Sequence, residues 1–215
     1  MNKTRKWLLA TVLTTILGIT MVGCSMSDGL NVFLRMASQN IETVASLDDV
    51  DAIDMADQDL DDLDIELAFQ VTELAADTNL TPAEKIAMIR QLREQMRLTH
   101  EAIVAERQAL QIAHVALKAD VAAFRAADGV LNDVQKAQVA DLTLELRTIS
   151  ASLRDSIGLA YQQMRSLRGK YQVQNLDLVL RTHQEVQTVL MARLANLERL
   201  NAIFAELSDM IADGE

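Results

Sequence analysis

The sequence has 215 residues, of which half are hydrophobic and only 3% aromatic, and its formal net charge is −11. One proline and seven glycines in a chain rich in alanine, leucine, glutamine and glutamate predict long helices and argue against sheet. The acidic balance argues against a nucleic-acid ligand, because the electrostatic part of such binding needs a basic face.

The first 24 residues have the order of a secretory signal: a basic head over residues 2–6, an apolar run over residues 7–22, and the small Gly23 before Cys24. This ending resembles the lipobox of bacterial lipoproteins, with Met21 where leucine is usual. The resemblance implies that the chain is cleaved between Gly23 and Cys24 and that Cys24, the only cysteine, carries covalent lipid.

The signal predicts where the protein is found. Residues 1–23 are interpreted as a lipoprotein signal peptide, and the rest as a protein on the extracytoplasmic side of the cell membrane or outer membrane. Two or more acyl chains hold a protein stably on a bilayer. The alternative is an uncleaved membrane helix with an incidental cysteine, although the 18 residues from Trp7 to Cys24 are at the short end for a span.

Residues 24–45 are predicted to form a lipidated tether or a short helix. Apolar residues recur there at three- and four-residue steps, as on one helical face. They are Leu30, Phe33, Ala37, Ile41 and Val44.

Residues 46–76 predict an acidic helix. Between Met36 and Glu84 the chain has 14 Asp or Glu and neither Lys nor Arg, and Ser46 is the predicted N-cap. Like charges four residues apart repel, so the helix needs either docking of its apolar stripe or cations. That stripe consists of Ile53, Ala56, Leu60, Leu63, Leu67, Val71 and Leu74.

Two interpretations of the acidic residues stay open. One is a solvated anionic face, or a face that meets the arginines of the next helix, Arg90, Arg93 and Arg97. The other is weak attraction of divalent ions such as Ca²⁺. An EF-hand is rejected, because the loop lacks the required glycine and the bidentate glutamate. The candidate residues are Asp57, Asp59, Asp61 and Asp62.

Three long helices are predicted after the acidic one, over residues 82–127, 132–168 and 175–212. Thr81 with Glu84, and Asn132 with Gln135, have capping-box spacing. Gly129 is expected to end the first helix. Gly158 is interpreted as a point of close packing within the second helix rather than a break.

The first long helix repeats an apolar residue every seven positions, as coiled coils do. This seam consists of Ile89, Met96, Ile103, Leu110, Leu117 and Phe124. Alanines flank it and are expected to let a neighbouring helix approach closely; they are Ala102, Ala109, Ala116 and Ala123. The predicted fold is all-α: an elongated, coiled-coil-like, up-and-down antiparallel bundle over residues 46–215, with three long helices and the shorter acidic one.

The sequence favours no enzyme. No nucleophile elbow, phosphate-binding loop or thiol site is present. His100, His114 and His183 match no metal-binding spacing, and the row of His100 and His114 is interpreted as solvated or flanking. No cofactor is expected apart from the lipid on Cys24.

Two stretches resemble the Leu-Thr-x-x-Gln motif of the Spy/CpxP family of periplasmic helical chaperones. They begin at Leu80 and Leu131 and depart from the motif at Glu84 and Asn132 respectively. This resemblance implies a cradle that binds unfolded clients. The main expectation is a lipid-anchored, non-enzymatic binding or spacer protein of the bacterial envelope, with a client-binding chaperone and a cation-responsive module as alternatives. The partner and the oligomeric state are left open.

Overall fold

The computed structural model describes residues 27–45 and 80–212, and this part of the chain is helical without a β-strand. The predicted all-α helical bundle is confirmed. A 3₁₀ turn, Val173–Asn175, precedes the last helix. The helices are α1 (Ser27–Ala45), α2 (Pro82–Ala126), α3 (Asp133–Ser156), α4 (Leu159–Ser166) and α5 (Leu176–Ala212).

The four longer helices, α1, α2, α3 and α5, alternate in direction along the chain. α1 runs antiparallel to α2, because Asn31 contacts Arg125 whereas Ser38 contacts His114. The main packed pairs are α2–α5, α1–α3, α3–α5, α4–α5 and α1–α2. α1 therefore lies between α2 and α3, on the side of the bundle opposite α5.

The direction of α5 follows from its polar contacts. Arg199 and Asn196 of α5 bind Glu145 and Ser152 of α3, so these helices are antiparallel. α5 consequently runs parallel to α2, its most extensive partner. The short α2–α3 connection thus joins antiparallel helices that are not a main packed pair.

Both predicted capping boxes are present. The Thr81 hydroxyl accepts from the backbone N–H of Glu84, whose carboxylate accepts from the Thr81 backbone N–H at 2.7 Å. The Asn132 side chain and the Gln135 amide form the same reciprocal pair, at 2.9 Å each way. Each box satisfies two N–H groups that a helix start otherwise leaves without partners.

The predicted seam of α2 is buried along its whole length, from Ile89 to Phe124. α3 and α4 bury their seam as well, from Val139 to Leu167, and α5 buries residues from Leu176 to Ile211. Removal of these apolar side chains from water is the main force holding the helices together.

α1 is part of the bundle and is not a tether. Its side chains Leu30, Phe33, Ala37 and Val44 are buried, and the ring of Phe33 meets that of Phe204 edge to face at 6.1 Å. The bundle therefore includes residues 27–45, ahead of the boundary at residue 46 that the sequence suggested. The helical alternative for this stretch is the one the structure shows.

The single helix predicted over residues 132–168 is wrong, because the chain breaks at Gly158. Gly158 has φ +73°, a left-handed conformation, so α3 ends at Ser156 and α4 starts at Leu159. Such a conformation is natural for glycine and strained for other residues. The interpretation of Gly158 as a packing point is also wrong, since an added Cβ would meet only Gln162, at 3.8 Å.

Replacing Gly158 with alanine is expected to lower the free energy of unfolding by about 1–2 kcal/mol, because alanine is strained at positive φ. The control is Gly29→Ala in α1, where no atom lies within 4 Å of an added Cβ; it is expected to raise stability by roughly 0.4–1 kcal/mol. Urea unfolding followed by circular dichroism measures both. Equal effects of the two changes would contradict this account of the break.

The end of α2 also differs from the expectation for Gly129. Asp128, with φ 55°, takes the left-handed conformation in its place. Gly129 has another role: a Cβ there would lie 2.4 Å from the ring of Phe124. The glycine allows the chain to turn tightly over the last buried aromatic of α2.

Candidate functional site

α2 carries a second apolar stripe on the side opposite the core. We call it the alanine face. At Ile112 and Val115, 71% and 69% of the residue surface is exposed. A large exposed apolar patch on a protein usually marks an interaction site. The face consists of Leu98, Ala105, Ala109, Ile112, Val115, Ala116, Ala119, Ala123 and Ala126, all exposed.

Few charges interrupt the alanine face. From Ala102 to Ala126 the exposed charged residues are Lys118 and Arg125. Three of the four alanines expected to admit a neighbouring helix, Ala109, Ala116 and Ala123, are exposed, because α1 and α5 pack on other sides of α2. Small side chains at this spacing let a helix backbone approach closely, so the surface suits a helical partner.

A buried arginine joins α5 to the break after α3. Arg193 is 2% exposed, and its guanidinium donates to the hydroxyl and the carbonyl oxygen of Ser156. Carbonyl groups at a helix C-terminus attract cations. Burial lowers the pKa of Arg193 to about 10, so the side chain stays charged at neutral pH. Arg193 is not among the residues that the sequence singled out.

Polar contacts also fix α1 against its neighbours. Ser38 lies 3.2 Å from Nε2 of the His114 ring, and the buried Asn40 accepts from the Ser150 hydroxyl of α3. Burial, together with the nearby Lys118, lowers the pKa of His114. The interpretation of His114 as solvated or flanking is therefore wrong: it is a buried contact between α1 and α2.

His183 lies in the core beside Tyr171. It is fully buried, its Nδ1 lies 2.8 Å from the Val179 carbonyl oxygen, and its ring meets Tyr171 edge to face at 6.1 Å. The pKa of His183 is lowered to about 4, mainly by burial; the Val179 hydrogen bond raises the pKa in part, and the charge of Arg93 lowers it. The ring is thus neutral at pH 7.

His183 is expected to make the bundle acid-sensitive. The unfolded chain takes up the proton near pH 6.5 and the folded chain near pH 4, so this stability is complete above pH 6.5 and is lost as pH falls towards 4. Between pH 7 and pH 4.5 the loss is roughly 2–3 kcal/mol. Urea titrations at both values are expected to show a smaller loss for His183→Gln than for wild type. His100→Gln, on the half-exposed histidine of α2, is the control; an unchanged loss in His183→Gln would contradict the prediction.

The residues chosen from sequence for lipid and cation binding cannot be placed in this site. Gly23, Cys24, Asp57, Asp59, Asp61 and Asp62 lie outside the described residues, and their roles stay predictions. Within residues 27–45 and 80–212, no three His, Cys, Asp or Glu side chains are grouped to bind a metal ion. In the same ranges, no helix has the length and hydropathy needed to cross a membrane.

The described residues present features that suit the binding of a partner. These features are an apolar helix face, buried polar contacts between helices, and surface ion pairs such as Arg199 with Glu145, which lowers the pKa of that carboxylate. No family model, curated protein or solved structure matches the chain.

Proposed function

We propose that this protein is a lipid-anchored, extracytoplasmic helical bundle with a non-enzymatic binding or spacer role at the bacterial cell envelope. One observation carries the proposal: the Gly23-Cys24 ending lies directly before a helix of the core, with only two residues between Cys24 and Ser27. An acyl group on Cys24 would therefore hold the bundle itself close to the bilayer.

The alanine face supports the binding role. Its last residues, Ala123 and Ala126, lie at the end of the bundle where α1 begins, because Asn31 of α1 contacts Arg125 of α2. A partner in or near the membrane would meet this face. The 45 residues of α2, about 68 Å if straight, would also suit a spacer.

The test separates binding from spacing. The double variant Ile112→Gln with Val115→Gln makes the alanine face polar, and Leu144→Gln, on an exposed leucine of α3, is the matched control. Photo-crosslinking in the membrane fraction is expected to give a discrete partner band with wild type and control and to lose it in the double variant. The same band in all three proteins would mean that the partner does not bind at the alanine face.

A client-binding chaperone is the second candidate, and the same exposed face favours it, because unfolded chains bind apolar surfaces. The two motif-like stretches are accounted for by helix capping. A chaperone would suppress aggregation of several unrelated unfolded proteins, and the double variant would do so less well. Inertness towards all of them would eliminate this alternative.

A further inference from the structure

α1 covers only half of α2. It runs antiparallel to α2, with Ser38 beside His114, and it ends at Ala45. Ala45 is therefore at about the level of Arg107. From that level down to Pro82, α2 continues for about 38 Å at 1.5 Å per residue.

Along that stretch the described helices form a groove. α5 packs on α2, and α4 packs on α5, but α2 and α4 are not a main packed pair. The space between α2 and α4 continues the position of α1, and we call it the lower groove. At its upper end, where α1 and α3 end, one open cavity is lined by Gln39, Glu42, Thr43, Arg154 and Ile157.

Arginines flank the lower groove. Arg107 lies 18 residues before Arg125, which is five helical turns, so both are on the side of α2 where Arg125 contacts α1. Arg93 lies four turns before Arg107 and is rotated from it by only about 40°. Arg154, near the end of α3, lines the cavity at the upper end of the groove, together with one carboxylate, Glu42. The groove therefore presents positive charge along α2 and at its upper end.

We propose that the lower groove binds residues 46–79 of the same chain. The segment must connect Ala45, at the top of the groove, with Leu80, at its bottom. A helix of about 25 residues spans 38 Å, and the segment has 34, which leaves enough for a turn. Length and end points thus match one helix that descends along the groove.

The charges match as well. Residues 46–79 contain 12 Asp or Glu and no Lys or Arg. Arginines along α2, and Arg154 at the upper end, would relieve the repulsion that destabilises such a helix by itself. The predicted stripe from Ile53 to Leu67 would bury its apolar side chains between α2 and α4. This proposal does not depend on the lipid anchor, so it stands or falls separately from the proposed function.

The test is chemical cross-linking of the purified full chain with a carbodiimide, which joins a lysine amine directly to a nearby carboxylate. Arg107→Lys and Arg93→Lys each place an amine in the groove and keep the charge. Cross-links are read by mass spectrometry on a mixture of unlabelled and ¹⁵N-labelled protein. From position 107 we expect links within one chain to Asp48, Asp49 and Asp51, and from position 93 to Asp57, Asp59, Asp61 and Asp62.

Arg125→Lys is the matched control, because it lies on the same side of α2 where α1 is already packed; we expect no link from it to residues 46–79. The native pair of Lys85 and Asp177, 2.7 Å apart, verifies the reaction. Links only between labelled and unlabelled chains would assign the groove to a second copy. That result would overturn the proposal. So would links in the reversed order, with position 107 joined to residues 57–62 and position 93 to residues 48–51. The absence of any link to residues 46–79, while Lys85 and Asp177 are cross-linked, would overturn it as well.

Discussion

Changing Phe33 to alanine is expected to lower the free energy of unfolding by about 3–5 kcal/mol, the usual loss for a phenylalanine removed from a packed core. Phe33 is fully buried and packs edge to face on Phe204. The cavity would open in the core of the bundle beside Phe204, and the protein interior closes such voids only in part. Urea unfolding at pH 7, followed by circular dichroism, measures the loss.

The matched control is Val32→Ala. Val32 is the neighbouring residue in α1 and is exposed, so its loss is expected to stay within about 0.5 kcal/mol. A small and equal effect of both changes would mean that α1 is a tether, as one interpretation of the sequence had it. A large effect of Phe33→Ala alone would establish α1 as a structural helix of the bundle.

Changing Cys24 to alanine is expected to abolish both lipidation and cleavage. Mass spectrometry of the wild-type protein from the membrane fraction should find a first residue Cys24 that carries acyl mass. The variant should keep residues 1–23 and carry no acyl mass, because the lipid is joined to the sulfur atom of Cys24, which alanine lacks. Each buried CH₂ of an acyl chain contributes about 0.8 kcal/mol to membrane binding, and this change removes all of the attachment that the lipid provides.

Ser25→Ala is the control for Cys24→Ala, since it alters the next residue and leaves the thiol in place; it should be cleaved and acylated as wild type. An intact Met1 without lipid in the wild-type protein would contradict the lipoprotein interpretation. The uncleaved membrane helix would then be the better account, and the side of the membrane that holds the bundle would need to be established first.

Several interactions depend on residues that are distant in sequence. Arg193 interrupts the apolar pattern of α5 at a position that periodicity assigns to the core, and only the packed structure brings the carbonyl group of Ser156 to it. His114 had the spacing of a surface row, yet α1 covers it. The burial of a polar side chain depends on which helix lies over it, and spacing along its own helix does not contain that information.

The sequence by itself determined the helical class, both capping boxes and the buried seams, because these follow from interactions within about four residues of one helix and from its 3.6-residue period. The tertiary structure decided the rest. It placed α1 in the bundle, broke the second long helix at Gly158 and left the alanine face exposed. These outcomes depend on which helices share an interface, and that choice is made by the burial of several apolar faces at once, which no single stretch of sequence specifies.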